Sequence, residues 1–260
     1  MAERQFENPS EPPVGNRRWK EPVVKTSYSG PIDGTKQGYA CATVRSTDNP
    51  DENGESEDCL HVNVSVPEWV LENKQKVPMV AYVHGGGHNG GSNNNPLPYL
   101  ADQGLVVVNI RRGFKLMLSA GTLIGPGFPR EHQLENLSSY RLGPWGYLHL
   151  ESTESGQTYR GNWGLLDQLA ALKWISAYGG VFGGDKNQVT LDGCSSGTQS
   201  NWHHLTSPAA WPYFHRFQST GLGLPAGVYY EGQKTDVRIN LALYSDHQIS
   251  FYEFFSSYEI

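Results

Sequence analysis

Short apolar runs of strand length alternate along this chain with segments of helical periodicity, and that alternation restricts the fold more than any other feature. Leu60 to Val66 switches between apolar and polar side chains, the pattern of a half-buried strand. Val77 to Val83 is a second apolar run, and it stops at a glycine cluster. Leu105 to Ile110 is nearly continuous, which suits a strand covered on both faces. Gly164 to Tyr178 predicts a helix with Leu165, Leu169, Leu172 and Ile175 along one face. Gln188 to Asp192 predicts a short strand, followed by Gly193-Cys194-Ser195-Ser196-Gly197 and a helix to about Leu205. This order favours an α/β architecture with a mostly parallel sheet. No repeat of solenoid or propeller period competes with it.

Composition removes several function classes. The 260 residues are ample for a sizeable core. A net charge of −6 with 18% charged residues argues against charge-driven disorder, and it supplies no basic field for nucleic acid. No apolar run has the length of a membrane span. Met1 to Ser10 lacks the basic-then-apolar pattern of a secretory signal, so the compartment is left open, as is the oligomeric state. Three cysteines exclude a disulfide-dense scaffold and leave room for one bridge and one odd thiol.

Two segments fit the α/β pattern badly. Residues 111–139 have weak periodicity and include Gly121, Gly125, Pro126, Gly127 and Pro129, an uncommon length of loop for a compact domain. The tail from Val228 to Ile260 is rich in aromatics, ending Phe251-Tyr252-Glu253-Phe254-Phe255, with no evident partner segment.

The candidate nucleophile is Ser195. With 30 glycines in the chain, Gly-x-Ser-x-Gly is a weak signal alone, but here it falls between a β-branched strand and a helical segment. A sharp strand-to-helix turn presents the central hydroxyl at the carboxyl edge of a sheet, and flanking glycines make that turn possible. The helix beginning there favours developing negative charge. The second candidate, His84-Gly85-Gly86-Gly87, follows directly on the Val77–Val83 run and is far rarer by composition. Bare glycine amides can approach a substrate oxygen as oxyanion donors. A phosphate cradle is a poorer reading, since no Gly-Lys-Ser/Thr follows. His84 and His88 are four apart, but the three glycines between them argue against a metal-binding helix, so no metal site is expected.

These stretches, taken together, resemble a type-B carboxylesterase of the α/β-hydrolase fold, the family that also holds the cholinesterases and neuroligins. The resemblance rests on Pro12-Pro13-Val14-Gly15-Asn16-Arg17-Arg18-Trp19, Ser56-Glu57-Asp58-Cys59-Leu60 and His84-Gly85-Gly86-Gly87. It continues through Tyr140-Arg141-Leu142-Gly143-Pro144, Gly161-Asn162-Trp163-Gly164-Leu165-Leu166-Asp167-Gln168 and Phe182-Gly183-Gly184-Asp185, then past Ser195 to Leu205-Thr206-Ser207-Pro208. It implies a partial domain over residues 1–227, interrupted by an atypical insertion at 111–139 and followed by an unmatched tail at 228–260. The expected fold is an incomplete α/β-hydrolase, the N-terminal part of the central sheet with its flanking helices. The resemblance also implies that the family's opening β-hairpin, which precedes Pro12, is absent. Residues 111–139 and the tail are expected to be translated non-coding or alternatively spliced sequence, with a family insertion loop as the competing view.

By the same resemblance Ser195 is the nucleophile, and the amides of Gly86, Gly87 and Ser196 form the oxyanion hole. Cys41 and Cys59 match the family's first disulfide; two reduced, buried thiols are the alternative for a cytosolic chain. The substrate is a small-molecule carboxylic ester, and no cofactor is needed. Where the family usually has Glu before the nucleophile, this chain has Cys194, and residues 42–58 contain no Trp. Both parts of a cation site are therefore missing, which argues against acetylcholine as substrate.

In the family the acid and histidine of the triad lie beyond the last residue of this chain. His203, His204 and His215 are expected to be structural, leaving His247, beside Asp246, as the one candidate for an improvised base. Without a base a serine is a weak nucleophile, so impaired ester hydrolysis is the expectation. The alternative is a non-catalytic, neuroligin-like binding or adhesion protein, or a pseudoenzyme fragment. Of two glycosylation sequons, Asn63-Val64-Ser65 falls in an expected strand and Asn136-Leu137-Ser138 in the insertion.

Overall fold

The computed structural model describes residues 2–6, 10–28, 39–43, 55–90, 98–110, 140–150 and 159–219. The insertion at 111–139, the tail at 228–260, Asn136 and His247 lie outside the described residues.

In chain order the elements are β1 (Ala2–Phe6), β2 (Ala40–Cys41), β3 (Glu55–Ser56), β4 (Val62–Val66), α1 (Glu68–Asn73), β5 (Val77–Val83), α2 (Pro98–Asp102) and β6 (Val106–Ile110). They continue with α3 (Gly143–Tyr147), β7 (His149–Leu150), β8 (Tyr159–Arg160), α4 (Trp163–Tyr178), β9 (Gly184–Gly193), α5 (Ser196–Leu205) and β10 (Arg216–Ser219). Six strands form the central sheet in the order β1-β4-β6-β5-β9-β10. β6, β5, β9 and β10 run parallel, while β4 is antiparallel to β6 and β1 antiparallel to β4.

Every residue of β4 and β6 is buried, and β5 is buried except at Pro78. The alternation in Leu60–Val66 therefore does not mark a solvent-facing side. Its apolar residues enter the main core, and Asn63 and Ser65 are also enclosed, at 3% and 1% exposure. The first sequon is thus sealed inside the sheet. The main core joins Val62, Val64 and Val66 with Met79, Ala81, Val83, Val106, Val108, Val189 and Leu191, under Leu172, Trp174 and Ile175 of α4. Each fully buried aliphatic side chain of this size stabilises by about 1.5–3 kcal/mol. A smaller cluster on the other face of the sheet gathers Tyr82, Ala101 and Val107.

Three further expectations are corrected. β9 begins at Gly184, not Gln188, because pairing with β5 recruits the turn-like residues before Gln188: Val77 lies opposite Gly184, with a register irregularity before Met79. A strand does precede the Pro-Pro-Val-Gly stretch, since Ala2–Phe6 pairs with Val62–Val66 and covers that edge of the sheet. The buried stripe of α4 is also not the expected one. Leu172 and Ile175 are buried, but Leu165 and Leu169 are only half-buried, whereas Asp167 and Gln168 face inward. Polar residues point in because buried partners on other elements meet them there.

Candidate active site

The register of two neighbouring strands creates the site. β5 and β9 are parallel and hydrogen-bonded, with Tyr82 opposite Asp192 and Val83 opposite Gly193. Both chains leave the sheet at the same level, so the residues that follow, His84-Gly85 and Cys194-Ser195, lie side by side at its carboxyl edge. The fit is close. A Cβ on Gly85 would stand 2.7 Å from the Cys194 carbonyl oxygen and 2.9 Å from Ser195 Cβ, inside van der Waals contact. Gly86 and Gly87 follow with φ of 120° and 65°, a left-handed backbone that glycine adopts without penalty.

Ser195 occupies a backbone conformation rare for an L-residue, φ 53° and ψ −122°, and is exposed. The glycines on either side make this turn possible. A Cβ on Gly193 would meet Asn201 Nδ2 at 2.6 Å, and one on Gly197 would strike the Val83 carbonyl oxygen. α5 starts at Ser196, where the Gly197 and Gln199 amides donate to the Cys194 and Ser195 carbonyls at 2.9 and 3.1 Å. The Thr198 hydroxyl donates to the Gly193 carbonyl at 2.6 Å and ties the first turn back to the strand. The positive end of the α5 dipole thus sits directly behind Ser195. Cys194, before it, is half-buried and packs against the Tyr82, Ala101 and Val107 cluster.

The glycine loop is held from behind. His84 is fully buried, its ring stacked on Tyr140 at 4.4 Å between centroids, and the Tyr140 hydroxyl donates to the His84 carbonyl at 2.9 Å. Burial pushes the Tyr140 hydroxyl well above its ordinary pKa, so it stays a donor. The next residue, Arg141, makes a two-pronged ion pair with Asp167 of α4, Nε to Oδ2 and Nη2 to Oδ1, both at 2.8 Å. Its backbone amide adds a third bond to Oδ2 at 3.0 Å. Burial pushes the Asp167 carboxyl up, against the opposing pull of Arg141. Such a pair costs much to desolvate, and breaking it by removing one partner costs about 3–5 kcal/mol. Cys41 and Cys59 are joined in a disulfide with a Cα–Cα distance of 4.8 Å, so the reduced-thiol alternative does not hold.

Of the described histidines, His88, His204 and His215 bond to groups other than Ser195. His204 is buried and bonded through Nε2 to Gln168 Oε1 at 3.0 Å; burial, then nearby His203, lowers its pKa to about 4. The His215 ring accepts from the Val189 amide, as a structural histidine would. His203 lies at the end of α5 with a pKa lowered by burial. His88 bonds through Nε2 to Ser200 Oγ at 3.0 Å. The sequence singles out none of the Gln168–Ser200–His204 contacts, since their partners are separated by a strand and a turn. Among the described residues, no group of three or more His, Cys, Asp or Glu is placed to hold a metal ion, and no helix is long and apolar enough to cross a membrane.

An exposed serine at positive φ, between a parallel strand and a helix and abutted by a glycine loop from the neighbouring strand, is the arrangement to compare with known proteins. The Carboxylesterase family matches residues 10–114 and 137–221. The chain belongs to that family. Among its carboxylesterase relatives, the fumonisin B1 esterase of Sphingopyxis macrogoltabida is 33% identical over 88% of this chain and 38% of its own length. The para-nitrobenzyl esterase of Bacillus subtilis is 35% identical over 80% of this chain and 37% of its own. The solved carboxylesterase of Geobacillus stearothermophilus aligns with a TM-score of 0.63 at 27% identity, over 84% of this chain and 39% of that one. This carboxylesterase chain therefore spans less than two fifths of the length of each, and its α/β-hydrolase fold is partial in coverage.

Proposed function

We propose that this chain carries the nucleophilic half of a serine carboxylic-ester hydrolase, with Ser195 as nucleophile and the amides of Gly86, Gly87 and Ser196 as the oxyanion hole. The observation that carries the reading is the strained, exposed Ser195 set against Gly85 at the carboxyl ends of β5 and β9. The Ser195 oxygen attacks the ester carbonyl carbon and loses its proton to a base. The three amides stabilise the resulting oxyanion, and each donor of this kind is worth about 10²–10³ in kcat. The intermediate collapses with departure of the protonated alcohol, leaving an acyl-serine. Water then attacks the acyl carbon, releasing the carboxylic acid and returning the proton to Ser195.

The substrate is a small-molecule carboxylic ester. Relatives bear the names fumonisin B1 esterase and para-nitrobenzyl esterase, and a substrate without a quaternary ammonium suits this site better than choline, since Cys194 stands where a cation-binding Glu would be. The insertion at 111–139 belongs to the same proposal, supported by the break in the family match between residues 114 and 137. Slow reaction at Ser195 belongs to the same proposal, supported by His88, His204 and His215, which are bonded to groups other than Ser195. A fluorophosphonate probe with peptide mapping tests this. A slow adduct on Ser195, lost in Ser195→Ala without loss of folding, is the expected result. No adduct on a folded chain, together with saturable binding to a cell-surface protein, would establish the non-catalytic alternative instead.

A further inference from the structure

We propose that His88 is a positioning residue, a clamp that holds the oxyanion loop against the first turn of α5; this deepens the ester-hydrolase reading and rests on it. His88 directly follows the Gly86-Gly87 pair and reaches across to the helix that begins at Ser196. Its ring bonds Ser200 Oγ at 3.0 Å, so the imidazole reaches α5 one turn beyond Ser196, where that helix begins. Its own carbonyl accepts from the Gly143 amide at 2.6 Å, and its ring centroid lies 4.9 Å from that of Tyr147. The loop thereby gains a third support, from α3. Within the loop the Gly86 carbonyl accepts from the Asn89 and Gly90 amides at 3.3 and 3.2 Å, closing a tight turn around His88.

His204 donates from Nε2 to Gln168 Oε1, and Gln168 Nε2 donates to Ser200 Oγ at 3.2 Å. Ser200 Oγ therefore links His88 to a polar chain that runs through Gln168 of α4 to His204 of α5. Burial first, then His203, lowers the His88 pKa to about 4, so the ring is neutral at physiological pH. The backbone also supports the clamp, because His88 is held at φ 59°, a conformation that costs a residue with a Cβ unless its surroundings offset it.

The clamp spans the groups that must act together. Gly86 and Gly87 supply two of the proposed oxyanion donors, Ser196 supplies the third, and the His88 ring bonds Ser200, one turn along α5 from Ser196. Donors misplaced by an ångström can lose about 10² in rate.

The test uses the full chain in four forms: parent, His88→Phe, His88→Gln and Ser200→Ala. Phe keeps a ring but no polar atoms, while Gln carries both a donor and an acceptor. Ser200→Ala removes the partner and leaves the loop sequence intact should Phe at positive φ compromise folding. Two quantities are read: the rate of fluorophosphonate labelling at Ser195, and amide hydrogen exchange of the peptides covering 84–90 and 194–198. His88→Phe and Ser200→Ala are expected to label at least about tenfold more slowly and to exchange faster in both peptides, while His88→Gln recovers most of each loss. Unchanged exchange in both peptides, or a Gln variant as impaired as Phe, would overturn the clamp. If the parent itself takes up no probe, the hydrolase reading falls, and the exchange measurement still decides whether His88 couples the loop to α5.

Discussion

At Ser195 the backbone geometry and the proposed chemistry compete. A non-glycine residue at φ 53°, ψ −122° stores about 1–3 kcal/mol of strain, against which glycine would cost about 0.5–1 kcal/mol in unfolded-state entropy. Ser195→Gly is therefore expected to raise unfolding free energy by about 1 kcal/mol in urea while eliminating probe uptake. A loss of stability would show that the turn is not strained. The same scale explains what could be read in advance. Gly193, Ser195 and Gly197 announce themselves because a tight strand-to-helix turn tolerates no Cβ at its flanks, a local requirement that leaves a local mark. In the sequence His88 stands out only by its spacing from His84, as one of a possible metal-binding pair. Its partner Ser200 is more than a hundred positions away in the chain, and no spacing rule connects them.

At the scale of elements, the contact between α4 and α5 is polar and titratable. His204 of α5 meets Gln168 of α4 in a buried site, and burial lowers its pKa from 6.5 to about 4. The sign follows from linkage. The unfolded chain binds this proton between about pH 6.5 and 4 while the folded chain does not, so the stabilisation is present above pH 6.5 and is lost as pH falls toward 4. Between pH 7 and pH 5 the loss from His204 is about 2 kcal/mol. His88, lowered for the same reason, acts in the same direction but less strongly because it is partly exposed. Urea unfolding at the two pH values should show this drop in the parent and a smaller one in His204→Gln, and equal drops would exclude His204 as the cause. The inward Asp167 and Gln168 also account for the difference between the expected and the observed buried stripe of α4. Apolar periodicity marks where leucines fall, and it is blind to polar residues whose buried partners come from other elements.

At the scale of the whole molecule, the six-stranded sheet of the described residues has edges that differ. β1 closes the antiparallel edge over β4, while β10 is the outermost described strand on the parallel side. The Cys41–Cys59 bridge closes a loop of sequence separation 18 beside the core. Replacing both cysteines by alanine should lower unfolding free energy by about 3 kcal/mol, read as a shift in urea midpoint at constant m-value; no shift would mean that the unfolded chain is not constrained by the bridge.

The succession of strands and helices, the glycines of both turns and the family were already determined by the order of residues, because hydrophobic period and forbidden β-carbons act between near neighbours. The recruitment of Gly184–Asn187 into β9, the inward polar face of α4 and the contact of His88 with α5 were decided only by the tertiary structure. Each depends on contacts between residues far apart in the chain, and such contacts acquire an energy only once folding has brought their partners within reach.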